Sequence, residues 1–175
     1  RAREQRGHHP RPHGRRRATV ATRRNKKKAG ALARAGNAFD EPRYGEAATR
    51  AAKALITRHY DASRKVVYPT KRAAPATFVE ASLPDYALVV EALVDTYESS
   101  FDPALFERAI EIQRRQDAIF WNAATSAYDV DHGVPAVVAG FAPADDSLSV
   151  TGRNLVRLGA ALRNAAQSFG VALDL

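Results

Sequence analysis

Two carboxylate-bearing phrases hold the residues of this chain best placed to do chemistry. Asp85 stands in Leu83-Pro84-Asp85-Tyr86-Ala87, at the mouth of the most apolar stretch, and Asp145-Asp146 occupy the equivalent place before a later helix. Asp85 and Asp146 are therefore the candidate catalytic residues, since two carboxylates on one rim can divide general-acid and general-base work on a sugar. The Tyr86 hydroxyl beside Asp85 is a candidate substrate ligand. The plainer role for Asp85 is a first-turn carboxylate favoured by the helix dipole, with Ser82 as N-cap; the sequence leaves both roles open. Aromatic residues form a second set. Tyr60-Asp61 and Trp121-Asn122 each open a loop that reaches a second tyrosine, Tyr68 or Tyr128. Such rings either staple a loop or line a sugar-sized pocket, and Trp121 and Tyr128 are the candidates for the pocket. His59 and His132 read as surface histidines of these loops.

Other chemistries are excluded or weakly supported. The chain has no cysteine, so disulfides, thiolate metal sites and cysteine nucleophiles are ruled out within it. His8, His9 and His13 are flanked by arginines that would repel a dication. No metal site and no cofactor are expected.

The elements that must position these residues are helices. Pro42, with Asp40 or Glu41 beside it, opens one helix whose Tyr44, Ala48, Ala51 and Leu55 form an apolar stripe, with Glu46 and Arg50 as an outward pair. Asp102-Pro103 opens a matching helix with the stripe Leu105, Ala109, Ile112, Gln116 and Phe120. Between them, Tyr86 to Val94 carries only one charge, Glu91, and should be enclosed on most sides. A last helix around Leu148 to Ala166, with Leu155, Leu158 and Leu162, reads as another enclosed helix, made more polar by Arg153, Arg157 and Arg163. The loops are 59–84, where Val66-Val67-Tyr68 suggests a short strand, and 121–147.

These helices belong to a repeat. The phrases Ala31-Leu32-Ala33-Arg34, Ala92-Leu93-Val94-Asp95 and Asn154-Leu155-Val156-Arg157 recur at nearly equal intervals along the chain. Phe39-Asp40 is echoed by Phe101-Asp102, and Tyr60-Asp61 by Trp121-Asn122. A unit of this kind cannot bury its apolar faces alone, so repetition implies an array of helical hairpins with variable chemistry on one rim.

Charge divides the chain unevenly. Of 27 Lys and Arg and 19 Asp and Glu, residues 1–30 hold 12 and one, which leaves 15 and 18 for the remainder. The basicity thus belongs to a leader expected to be disordered. It could serve as a nucleic-acid-binding arm or nuclear address. A transit peptide would also be Arg-rich, but this segment lacks serine and an amphipathic stripe. The preferred reading is off-frame sequence ahead of the true domain. The chain starts at Arg1 and contains no methionine, so it reads as a fragment of something longer. No apolar run approaches the roughly 18 residues of a membrane span and no signal-peptide core is evident, so a cytoplasmic setting is expected.

Ala31-Leu32-Ala33-Arg34-Ala35-Gly36, the turn Asp40 to Tyr44, Leu83-Pro84-Asp85-Tyr86-Ala87 and Phe101-Asp102-Pro103 together resemble the C-terminal helical region of the spermatogenesis-associated, thioredoxin-domain-containing proteins. The resemblance covers roughly residues 31–165. It implies an N-terminal thioredoxin-like domain, covalently linked in the parent protein and outside this chain. It also implies a six-hairpin (α/α) toroid similar to N-acylglucosamine 2-epimerases and six-hairpin glycosidases. The family's Asp-x-x-x-Pro-Ser-Gly-Asn stretch is matched by Asp146 and Gly152, with Thr151 for serine, but Val150 and Arg153 replace proline and asparagine. Gly152 joins the candidate substrate-binding residues on this ground. A Trp-Asn-Gly element before the first repeat phrase and paired glycines near Ser126-Ala127 are missing, and each loss falls on the expected pocket rim.

The expectation is therefore an all-α chain: a basic leader over 1–30, then a partial (α/α)6 toroid over 31–170 with about three hairpin units and long rim loops. Its parent would bind or process a sugar-like small molecule in carbohydrate metabolism, while this fragment would itself be inactive. Whether the family is enzymatic stays open. The alternative is a non-catalytic helical scaffold with a basic nucleic-acid-binding arm, the lesser reading. No membrane partner is expected.

Overall fold

In a computed structural model, residues 27–69, 80–129 and 146–169 are described. They are mostly helical: α1 spans 27–39, α2 Pro42–His59, α3 Leu83–Ser100, α4 Pro103–Phe120 and α5 Ser147–Phe169. Two small antiparallel hairpins follow the even-numbered helices. β1 (Tyr60–Asp61) pairs with β2 (Val66–Val67), and β3 (Trp121–Asn122) pairs with β4 (Ala127–Tyr128). The chain is all-α in class, as the periodicities require. The short strand expected near Val66 is present, whereas β1, β3 and β4 had no clear alternation to announce them.

The repeat is visible in the backbone. Pro42 and Pro103 stand at equivalent places, each in the first turn of a helix of 18 residues. Asp102 caps its helix by accepting the Ala104 N–H at 3.1 Å, while the equivalent Glu41 makes no side-chain cap bond. Asp40 and Phe101 both take the left-handed conformation, with φ of 49° and 53°, and Lys65 and Ser126 do so at 55° and 51°. Non-glycine residues seldom adopt it, so two such pairs at the same separation as the two prolines mark one recurring chain path. This register corrects two pairings. Asp40, not Phe39, is the partner of Phe101, and Tyr128 corresponds to Val67 rather than to Tyr68. In the α2 stripe Ala48 and Leu55 are buried as expected, while Ala52 and His59 are buried where Tyr44 and Ala51 are only half-buried.

α3 is the centre of the fold. Thirteen of its residues are buried, including Tyr86, Val90 and Leu93, in keeping with its single charge between Tyr86 and Val94. α4 covers one side with Leu105, Ala109, Ile112 and Phe120, and Tyr86 meets Phe120 edge to face at 5.7 Å. Leu105, Ile112 and Phe120 each contribute about 1.5–3 kcal/mol by leaving water. Ala29 and Leu55 pack with Ala92 on another side. α1 and α5 both reach α3, where Arg34 and Arg157 pair with Asp95. Contacts from α3 to α5 run from Ala87–Asn154 to Asp95–Arg157, rising along both helices as parallel neighbours do. α5 is enclosed on one side only. Val150, Thr151, Asn154 and Leu158 are buried, but Leu148, Leu155, Val156 and Leu162 are exposed, so the expected full enclosure does not hold.

Residues 27–30, which composition assigns to the basic leader, lie within α1, with Ala29 and Gly30 buried. Residues 1–26, His8, His9, His13 and His132 lie outside the described residues.

Candidate functional site

The repeat phrase builds one wall of a charged cleft. Its fourth position is Arg34 on α1, Asp95 on α3 and Arg157 on α5, and these three side chains form one ladder. Asp95 accepts from Arg34 through Oδ2 and from Arg157 Nη2 through Oδ1 at 2.7 Å. Arg157 also reaches both Glu98 oxygens, at 2.9 and 2.7 Å. Burial works against the Arg157 charge, but the hydrogen bonds to Glu98 and Asp95 outweigh it and raise its pKa above the ordinary arginine value. One helical turn earlier, Glu91 and Arg153 pair at 3.2 Å, and the matching α1 residue is Gly30. A Cβ there would overlap the Asp95 carboxylate, so glycine lets α1 approach closely enough for Arg34 to pair.

Where these helices meet, a cleft of about 180 Å³ opens. Its charged walls are Lys27 and Arg34 from α1, Glu91 and Asp95 from α3, and Asp146 and Arg153 from the start of α5 and its first turns. Three cations face three anions. Such a lining offers donors and acceptors without a net field, which suits a neutral ligand rich in hydroxyl groups better than a multiply charged one. Two larger depressions, one at the α1–α2 turn and one along the outer side of α4, hold none of these six residues.

Asp146 borders this cleft and sits at the α5 start, where its carbonyl accepts the Val150 N–H at 2.9 Å. Asp85 is one turn from Leu88 on the face of α3 that bears Ala92 and Asp95, but its carboxylate is buried beside the Ser82 hydroxyl at 3.5 Å. Ser82 is the N-cap residue without a side-chain bond to the helix backbone. The two candidate carboxylates thus mark the same end of parallel helices, and only Asp146 faces the cleft.

Tyr86 is engaged elsewhere. Its hydroxyl accepts the Val67 N–H at 3.1 Å and donates to Glu80 at 2.6 Å, and Arg115 grips both Glu80 oxygens at 3.2 Å. Burial, then the Glu80 carboxylate, pushes the Tyr86 pKa well above 10.0. This network fastens the β1–β2 hairpin to α3 and α4. Trp121 and Tyr128 face each other across β3–β4, edge to face at 5.2 Å. Tyr128 donates to Asp117 at 2.6 Å, and burial and that carboxylate raise its pKa also. Gly152 is on the exposed side of α5 with open space about it. His59 corrects the expectation of a surface residue: it is buried, with Nδ1 3.2 Å from the Tyr68 carbonyl.

The ladder is what sequence reasoning missed. Its signal was available, because the alternation Arg, Asp, Arg at the fourth position of the phrase puts opposite charges on neighbours once equivalent helices stand side by side. Among the described residues no three His, Cys, Asp or Glu side chains converge as a metal-ligand set, and no helix is long and apolar enough to cross a membrane.

The fold and site define an all-α protein of repeated helical hairpins with a charge-balanced cleft between equivalent helices. The chain is similar to part of spermatogenesis-associated protein 20 from Homo sapiens, at 32% identity in an alignment 127 residues long that covers 63% of this chain and 16% of that protein. Against the rat and mouse proteins of the same name it is 35% identical over 88 residues, 46% of this chain and 11% of each. These partial similarities support the resemblance read from the repeat phrases, and the chain spans less than a fifth of the length of these relatives. No family model matches it.

Proposed function

We propose that the chain is part of an (α/α) toroid in which α1, α3 and α5 belong to the inner ring, and that their shared cleft binds a small polyhydroxyl, sugar-like molecule. The observation that carries the reading is the lining of six charges, three of each sign, around a volume of about 180 Å³. In this reading Asp146 and Glu91 accept from ligand hydroxyls, and Lys27 and Arg153 donate to ligand oxygens. Asp95 is held by two arginines and orients the wall. The role proposed is binding, and Asp85, buried beside Ser82, is not among the residues that line the cleft. The partial similarity to spermatogenesis-associated protein 20 supports placing this segment in a longer parent, where a thioredoxin-like domain would precede it.

Calorimetric titration of a panel of mono- and disaccharides tests this. A hydrogen bond to a charged group contributes about 1.5–3 kcal/mol, so Asp146→Asn should weaken the best saccharide about tenfold. Asp85→Asn should leave it unchanged and cost at most about 1 kcal/mol of stability. A panel in which no saccharide binds would remove the carbohydrate reading, and equal losses at both positions would remove the assignment to this cleft.

A further inference from the structure

The junction of α3, α4 and α5 is polar where the preceding junction of the repeat is apolar. The register that sets Pro103 on Pro42 sets Gln113 on Ala52 and Gln116 on Leu55, and the register that sets Asn154 on Ala92 sets Thr151 on Val89. All eight residues are buried. Four apolar side chains of one unit have become two glutamines, a threonine and an asparagine in the next. Burying an amide costs free energy unless both of its ends are paired, so a concerted exchange of this kind needs a partner for each donor and acceptor that it brings.

The amide nitrogens have theirs. Gln113 Nε2 donates to the Asp117 carboxylate at 2.7 Å, Asn154 Nδ2 to the Ala87 carbonyl at 2.9 Å and Gln116 Nε2 to the Thr151 hydroxyl at 3.1 Å. Among the described residues, the oxygens of the same three amides have no hydrogen-bond partner. Turning the amides over does not cure this for Gln113 and Asn154, because a carboxylate and a backbone carbonyl only accept. Their nitrogens must stay where they are, and each oxygen still needs a donor.

The helix directions bring these oxygens to one level. Tyr86 meets Phe120 and Tyr97 stacks on Phe106, so α4 runs back along α3, while α5 runs parallel to α3. α4 and α5 are therefore antiparallel where Gln116 meets Thr151. Gln113 lies one turn back along α4 and Asn154 one turn forward along α5, each a rise of about 4.5 Å, so the two fixed amides stand at the same height.

We propose that this junction holds an internal water molecule that donates to the Gln113 and Asn154 oxygens and accepts from Gln116, joining α4 to α5. Gln116 is free to take part, because the Thr151 hydroxyl donates as readily as it accepts. Its amide turns to accept from Thr151 and gives an N–H to the water. Every amide end is then paired, and the water makes the roughly three bonds usual for a buried one. The preceding junction, with Ala52, Leu55, Val89 and Ala92, offers such a molecule no side-chain partner.

Oxygen-17 relaxation dispersion of the solvent, which counts waters held inside a protein, tests this on the full chain. The wild type should hold about one such water more than a variant carrying Gln113→Ala, Gln116→Leu, Thr151→Val and Asn154→Ala, the residues of the preceding junction. Equal counts in the two folded proteins would overturn the proposal. A crystal structure of the wild-type chain decides the matter even where the four substitutions prevent folding. Density about 2.7–3.0 Å from both Gln113 Oε1 and Asn154 Oδ1 is expected. A junction without that density, whether or not the Gln116 amide bonds the two oxygens directly, would overturn it.

Discussion

The two hairpins that follow the even-numbered helices share a backbone and a turn-closing side chain, and differ in how far their aromatic rings are buried. In each, an Asp or Asn at the second strand position turns the chain: Asp61 accepts from the Ser63 and Arg64 N–H groups at 3.1 and 3.3 Å, and Asn122 from Ala124 at 3.0 Å. In each, the residue after the second strand returns a bond of 2.7 Å to the end of the helix, from Tyr68 to His59 and from Asp129 to Phe120. Yet Tyr60 is 5% exposed and Trp121 48%. The first hairpin is tied down by the Ala81 N–H on the Val67 carbonyl and by the Tyr86 hydroxyl, and Arg108 lies over the Tyr60 ring at 5.0 Å. The second leaves Trp121 exposed beside a half-buried Tyr128, which Asp117 fixes. The turn chemistry is thus a property of the repeat, whereas burial is a property of what each unit meets.

The sharpest way to break this comparison is to truncate the paired rings. Tyr60→Ala should cost about 3 kcal/mol, since removing a buried aromatic ring leaves a cavity, while Trp121→Ala should stay within about 1 kcal/mol. Chemical denaturation of both variants checks it. Equal losses would mean that both hairpins are fastened alike.

A smaller effect sharpens it. Tyr86→Phe removes the partner of the Val67 N–H and of Glu80, and should cost about 1–2 kcal/mol. The Tyr86 pKa is raised above its unfolded value of 10.0, so the contribution of its protonated hydroxyl is complete below pH 10 and is lost as the pH rises through the raised value. Wild type should therefore lose stability above pH 10 more steeply than Tyr86→Phe, and ultraviolet titration should show Tyr86 ionising above the ordinary tyrosine value. Coincident titration of all six tyrosines in the folded protein would contradict the network.

Much of the fold was legible because its signals are local. Pro42 and Pro103 fix helix starts, Leu105 to Phe120 repeat at helical spacing, and the lone Glu91 marks the helix that must be enclosed. The one-residue slips, Phe39 for Asp40 and Tyr68 for Val67, arose because aromatic identity was matched where backbone conformation is what recurs. The site was less legible. Asp146 is legible as a carboxylate that precedes a helix, and nothing in the sequence separates it from Tyr86 and Asp85, which lie away from the cleft. Their engagement with Glu80 and Ser82 depends on how residues 80–82 return to the core. The ladder joins side chains a full repeat apart in the chain, a pairing that appears only when the repeat is read as a spatial neighbour list rather than as a pattern.

That ladder is the centre of the account, because it makes the repeat phrase a physical connection between units and forms the wall of the cleft. A double-mutant cycle on Asp95→Ala and Arg157→Ala, read by denaturation, measures it directly. Arg157 is partly exposed and Arg34 more so, so the coupling should be about 1 kcal/mol, reduced from the value of a fully buried pair by solvent screening. Losses that simply add, within about 0.3–0.5 kcal/mol, would show that Asp95 and Arg157 act independently and that the phrase does not join the helices through its charges.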